Sequence, residues 1–266
     1  MSRSAVYRSQ RRRLIIGNWK MNGTRRSSIQ LSEAITDGLS GVEIESETAG
    51  VDVVVCPPFV YLAEVSDALA GSHLSLGAQT LNEHNDGAFT GEVSAAMLLE
   101  FACHYVLVGH SERRQVLGET NRQTTDKFRT AAAAGLTPVL CVGETLEQRD
   151  AGETFTVIDE QLNAVVSVVG LDALAAAVIA YEPVWAIGTG DTASPAQAQA
   201  VHAYIRGYLG EAGRGTRLLY GGSVNADNAE GLFSETDIDG GLVGGASLDA
   251  GQFIAICQAA VLNQTA

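Results

Sequence analysis

Short runs of aliphatic and β-branched residues recur along the chain. They fall at Leu14–Gly17, Val51–Cys56, Leu74–Ala78, Tyr105–Gly109, Pro138–Gly143, Val178–Tyr181, Arg217–Gly221 and Gly241–Gly244. Several are almost unbroken in Val, Leu and Ile, the pattern of strands covered on both faces. Between the runs, apolar positions switch to helical spacing. Leu31, Ile35 and Leu39 share one face; Tyr61 or Leu62, Val65 and Leu69 share another, opened by Pro57-Pro58. Ser194-Pro195 reads as an N-cap and a first-turn proline ahead of Val201, Tyr204, Ile205 and Tyr208. Ser247 is expected to cap a last helix whose face is Phe253, Ile256, Cys257 and Val261. Gly135 is expected to stop the helix that ends in Ala131–Ala134.

Strand and helix alternate strictly, which calls for a parallel α/β sheet. Eight such units in the span 14–266 fit a closed (β/α)8 barrel better than an open sheet. No linker or change of composition interrupts that span, so a single domain is expected over 14–266. Met1–Arg13 carries five arginines and no acid, without the apolar centre of a secretory signal or a clear amphipathic period. A disordered basic extension, or a start assigned too early, is favoured there over a transit peptide.

Charge narrows the partners. Residues 14–266 hold 12 basic and 31 acidic side chains, a formal charge of −19. Such a surface repels nucleic acid and anionic membrane, and no apolar run reaches membrane-spanning length. An anionic substrate therefore needs a locally built site of backbone N–H groups and a placed lysine. Cys56, Cys103, Cys141 and Cys257 are far apart and match no zinc spacing, so reduced thiols in a cytoplasmic protein are expected. The five histidines form no H-x-x-x-H pair, and no metal site is indicated.

In a barrel, chemistry belongs where strands end and βα loops begin. Asn18 and Lys20 follow the first run, His110, Ser111 and Glu112 the fourth, Glu144 the fifth and Glu182 the sixth. Gly221-Gly222-Ser223 closes the seventh run, and Gly244-Gly245 the eighth. A lone lysine is ordinarily a solvated one, and a lone histidine more commonly structural. A loop glutamate commonly makes a surface salt bridge of little worth. Their convergence on one rim argues for chemistry instead. Glu182 is followed by Pro183, Val184, Trp185, Ala186 and Ile187, an apolar stretch where a surface loop belongs, and then by Gly188, Thr189 and Gly190. A carboxylate among apolar neighbours is expected to be desolvated and so more basic, and the loop after it reads as a lid.

The motifs GNWKMN, FTGEVSAAML, GHSERR, LCVGETLEQR, YEPVWAIGTG, YGGSVN and GGLVGGASL stand in this order. Together they resemble the triosephosphate isomerase family from about Leu14 to the C-terminal helix. The resemblance implies a TIM barrel that interconverts dihydroxyacetone phosphate and glyceraldehyde 3-phosphate through an enediol(ate), with no cofactor, in glycolysis and gluconeogenesis. It makes Glu182 the base, and His110 a neutral electrophile whose pKa is lowered by a helix N-terminus. Lys20 and Asn18 then touch substrate, and Gly188, Ser223, Gly244 and Gly245 hold phosphate. Ser111 lines the site, Glu112 supports Lys20, and Glu144 plays a supporting part; a purely structural network around Glu112 stays open. Thr90 resembles the interface-loop residue that enters a neighbour's site, which implies a homodimer. Asp191 departs from the family, which often has a basic residue there. Two other readings are an epimerase-like phosphosugar barrel, whose usual acid/base groups fit Lys20, His110 and Glu182 poorly, and a catalytically silent phosphoester-binding barrel.

Overall fold

The computed structural model describes residues 11–40, 50–187 and 192–262. The elements run β1 (Arg13–Asn18), α1 (Arg25–Leu39), β2 (Val51–Cys56), α2 (Leu62–Ala68), β3 (Leu74–Ala78), α3 (Ala95–Glu100) and β4 (Cys103–Val108). After these come α4 (Ser111–Gln115), α5 (Asn121–Ala134), β5 (Thr137–Val142), α6 (Leu146–Asp150), α7 (Thr154–Val169), α8 (Leu171–Ala175) and β6 (Val178–Tyr181). The chain continues through α9 (Pro195–Leu209), β7 (Arg217–Tyr220), α10 (Ala229–Phe233), β8 (Gly240–Val243) and α11 (Ala250–Leu262). All eight strands are parallel and each pairs with the next. β1 then pairs with β8 through Leu14↔Gly240 to Gly17↔Val243, closing the barrel.

Two cores follow from the twofold period of a strand. Leu14, Ile16, Val54, Leu107, Val139, Val178, Leu219 and Leu242 fill the barrel interior. Their neighbours Ile15, Val53, Val55, Val106, Leu140 and Ile179 face outward and pack under the helices. Both faces are dry, which explains the nearly unbroken apolar runs. All four cysteines are free, buried thiols within these layers.

The termini of the elements differ from expectation in instructive ways. β1 starts at Arg13, and both Arg11 and Arg13 are buried against the polypeptide rather than lying in a basic extension. Arg11 Nε pairs with Asp239 Oδ1 at 2.8 Å, and Arg13 Nη2 donates to the Phe233 carbonyl at 2.7 Å. Asp239 also accepts from Arg206 Nη2 at 2.6 Å and from the Leu218 N–H at 3.0 Å. This cluster ties the N-terminal face of the barrel shut. Ser247 does not cap α11, because its hydroxyl turns back to the Gly244 carbonyl at 2.7 Å. Asp249 Oδ1 takes that role, accepting the Gln252 N–H at 2.8 Å. Ser194 caps α9 in a reciprocal box with Gln197, and Gly135 ends α5 in the left-handed conformation at φ 90°. On α9 the buried positions are Ala198, Val201, His202, Ile205 and Leu209. Tyr204 and Tyr208 stand at its edge and donate to Asp159 and Asn163 on α7.

Candidate active site

The C-terminal ends of β1, β4, β6, β7 and β8 surround a cavity of about 290 Å³. Asn18, Lys20, His110, Glu182 and Leu242 line it, with Ile187 at its lip.

Lys20 arrives on a strained turn. Its φ is +53°, a left-handed conformation that costs a non-glycine residue about 1–2 kcal/mol. Three contacts hold it. Asn18, buried at the end of β1, accepts the Lys20 N–H on Oδ1 at 3.0 Å. Gln79 Nε2 donates to the Lys20 carbonyl at 2.8 Å and to the Cys56 carbonyl at 2.9 Å. The Lys20 ammonium meets Glu112 Oε1 at 2.6 Å. Lys20 also lies along Gly244, where an added Cβ would stand 3.2 Å from Lys20 Cε. The cation is thereby set beside the backbone of the loop after β8.

His110 and Glu182 form a buried pair, with Nε2 and Oε1 3.0 Å apart. The other Glu182 oxygen accepts the Ser111 N–H at 2.8 Å. Glu182 itself is fixed by its N–H to the Val142 carbonyl at 2.7 Å. Gly221 makes room beside it, since a Cβ there would come 2.8 Å from Glu182 Cγ. His110 stands at the N-cap of α4, and Nδ1 accepts the Glu112 N–H at 3.2 Å. That bond requires an unprotonated Nδ1 and leaves the Nε2 proton directed at Glu182.

The electrostatics of the site run against one expectation. Burial pushes the Glu182 carboxyl up, as anticipated from its apolar neighbours. His110, the Ser111 N–H and Lys20 outweigh that push, and its pKa lies below the ordinary carboxylate value. Burial likewise opposes charge on His110, but the Glu182 and Glu112 carboxylates outweigh it and raise its pKa. The helix N-terminus pulls the other way through the Nδ1 acceptor bond. The geometry therefore does not give a strongly basic glutamate beside a histidine of lowered pKa. Across the 3.0 Å contact each group shifts the other toward its charged form, while the Glu112 N–H on Nδ1 favours the neutral imidazole.

Glu144, fully buried after β5, anchors the start of the segment after Glu182. Its Oε1 accepts from Tyr181 Oη, Trp185 Nε1 and Arg149 Nη1, each at 3.1 Å, and its carbonyl accepts the Val184 N–H at 3.1 Å. The Arg149 guanidinium also stacks on the Trp185 ring at 4.5 Å. Burial and the Glu144 carboxylate raise the Tyr181 pKa, so this phenol stays a donor. Pro183, Val184, Trp185 and Ala186 thus form a rigid entry, with Val184–Ala186 in one turn of 3-10 helix.

The chain matches the model of the family described as Triosephosphate isomerase over residues 13–260. It is 56% identical over 251 residues to the triosephosphate isomerase of Alcanivorax borkumensis, covering 93% of this chain and 98% of that relative. With those of Dechloromonas aromatica and Thiobacillus denitrificans the identity is 55% over 254 residues, covering 94% of this chain and 99% of each relative. This chain belongs to the triosephosphate isomerase family. The family likeness seen in its motifs thus extends through the whole barrel.

Of the positions singled out by likeness to triosephosphate isomerases, Asn18, Lys20, His110, Glu182, Ile187, Ser223, Gly244 and Gly245 line one cavity. Ser111 and Glu112 reach it by holding Glu182 and Lys20. Glu144 stands behind the entry to the loop. Thr90 is exposed and does not line the cavity of its own chain. Gly188, Thr189, Gly190 and Asp191 lie outside the described residues. Gln79 and Arg149 went unnoticed in the sequence. Gln79 acts on groups remote in the chain, which no local pattern signals; Arg149 meets Glu144 five residues before it, but its stacking on Trp185 is set by the fold.

Proposed function

We propose that this protein is a triose-phosphate isomerase that interconverts dihydroxyacetone phosphate and D-glyceraldehyde 3-phosphate. The observation that carries the reading is the meeting of Glu182, His110 and Lys20 on one cavity flanked by the glycine loops after β7 and β8. Backbone of Ser223, Gly244 and Gly245 holds the phosphate, the usual anion site of such barrels. Lys20 adds a point charge. The substrate's carbonyl enters between His110 and Glu182 and parts them. His110 then loses the carboxylate that raised its pKa but keeps the Glu112 N–H on Nδ1, so it acts as a neutral Nε2–H donor. Glu182 loses its His110 and Ser111 partners, and burial becomes the dominant influence, raising its basicity. Glu182 takes a proton from one carbon and returns it to the adjacent carbon. His110 Nε2–H and Lys20 stabilise the oxyanion of the enediol(ate) between these steps. No cofactor enters this chemistry.

Pro183 to Gly190 acts as the lid, with Ile187 closing toward Leu242 over the reacting carbons while Gly188 reaches the phosphate. The protein works as a homodimer. Met21, Val60, Phe89, Val116 and Leu117 leave large apolar surface exposed, and Thr90 would enter the partner's site. Cytoplasmic service in glycolysis and gluconeogenesis follows from this reading. A coupled assay of the purified protein with glyceraldehyde 3-phosphate tests the activity; absence of turnover would refute it. Light scattering at micromolar concentration tests the dimer, which a monomeric mass would exclude.

A further inference from the structure

A second cavity, of about 340 Å³, opens at the side of the barrel, where the turn after α6 meets the first turns of α7 and α9. It shares no lining residue with the active cavity. Its size falls in the range of small-molecule sites. Arg149, Thr154, Phe155 and Gln197 form its walls.

Three features give it a chemical preference. Arg149 spends only Nη1 on Glu144, and its Nε and Nη2 donors make no hydrogen bond among the described residues. α7, a helix of 16 residues, begins at Thr154 with no side-chain cap on its leading N–H groups, which leaves the positive end of its dipole open. Phe155 is 43% exposed and presents an aromatic face backed by Tyr204, the ring centroids 4.3 Å apart. A guanidinium edge and a helix N-terminus select an anion, while the phenyl face selects a flat apolar body. Asp150 and Glu153 flank the site in an acidic protein, which disfavours a dianion such as a phosphate ester.

We propose that this cavity binds a small aromatic carboxylate, and that the ligand draws Arg149 away from Glu144 and Trp185. The carboxylate engages the free guanidinium edge and competes with Glu144 for the cation, turning it toward the cavity, and the ring lies on Phe155. Arg149 is the link to function. It stacks on Trp185 and shares the Glu144 oxygen that fixes the entry to the loop after β6. Gln197 on the opposite wall accepts the Ser194 N–H at 2.9 Å, so the exit of the same loop borders the cavity too. Occupancy therefore loosens the anchoring of that loop without touching the reacting groups.

Benzoate is the probe. The chain has two tryptophans, and of these Trp185 touches Arg149, so its emission reports displacement of the guanidinium. Titration into the full-length protein should give a saturable change with half-saturation on the order of 1 mM, the range for so small a ligand. Phe155→Ala should weaken binding about fivefold through the lost ring contact, and Phe155→Tyr should restore it. At saturation, kcat for glyceraldehyde 3-phosphate should fall while KM stays constant. Absence of a saturable emission change would overturn the proposal. So would equal binding by the Phe155→Ala variant, an unmoved kcat at saturation, or a KM that climbs in proportion to benzoate.

Discussion

Replacing Gln79 by leucine tests how the strained Lys20 turn is held. The side chain is distant from the reacting groups, yet its amide donates to the carbonyls of Lys20 and Cys56 at 2.8 and 2.9 Å. Each such bond contributes about 0.5–1.5 kcal/mol net, and the left-handed backbone at Lys20 stores about 1–2 kcal/mol that favours escape. Losing about 2 kcal/mol of restraint would shift the equilibrium between Lys20 in place and Lys20 displaced by about 30-fold toward the displaced state. Leucine is close to glutamine in volume, so packing should change little. The expected result is a fall in kcat/KM of about 10- to 30-fold in a steady-state coupled assay, with a drop in the thermal midpoint of no more than about 4–8 °C. A double-mutant cycle with Lys20→Ala sharpens the test, because without the ammonium the Gln79 change should cost almost nothing more. A kcat/KM within twofold of the parent, or additive losses in the cycle, would refute the argument.

Two other outcomes follow from buried charge. Asp239 is enclosed by Arg11, Arg206 and the Leu218 N–H, so Asp239→Ala should cost about 3–5 kcal/mol, or a drop on the order of 10 °C in melting temperature. Calorimetry should record that loss while kcat/KM at low temperature stays unaltered; a shift below about 2 °C would contradict it. Burial pushes Glu119 up, but Lys127 Nζ at 2.6 Å and Arg113 Nε at 2.6 Å outweigh it and lower its pKa. The unfolded chain then binds the proton more readily, so this carboxylate adds stability above the ordinary carboxylate range, lost as pH falls through its lower folded value. Melts across the acid range should therefore show a shallower acid slope in Glu119→Gln than in the parent, and parallel slopes would refute the assignment.

The strands were legible because burial on both faces leaves apolar runs that little else produces, as in Val51–Cys56. Their ends were less so. β4 begins at Cys103 although His104 is exposed, and β1 reaches back to Arg13 because its guanidinium is satisfied by the Phe233 carbonyl, a partner 220 residues away. Ser247 and Asp249 are both plausible caps by composition, and only the turn after Gly244 decides between them. The site was readable wherever a polar residue directly follows a strand. Gln79 was not, since its partners are carbonyls on other loops, and the stacking of Arg149 on Trp185 likewise joins two loops although its Glu144 partner is only five residues away. The protonation balance of Glu182 and His110 was half legible. Apolar neighbours announce burial, but the 3.0 Å contact that reverses its effect exists only in the fold.

In the proposed reaction Glu182 carries the proton between carbons. Turnover of dihydroxyacetone phosphate in deuterium oxide, followed by NMR for deuterium at the reacting carbon, tests this role directly, with Glu182→Gln compared to the parent. The parent should incorporate solvent deuterium as it isomerises, and the variant should lose both exchange and turnover by about 10²- to 10⁴-fold, the worth of a positioned base. Exchange and turnover at the parent rate in Glu182→Gln would show that another group carries the proton.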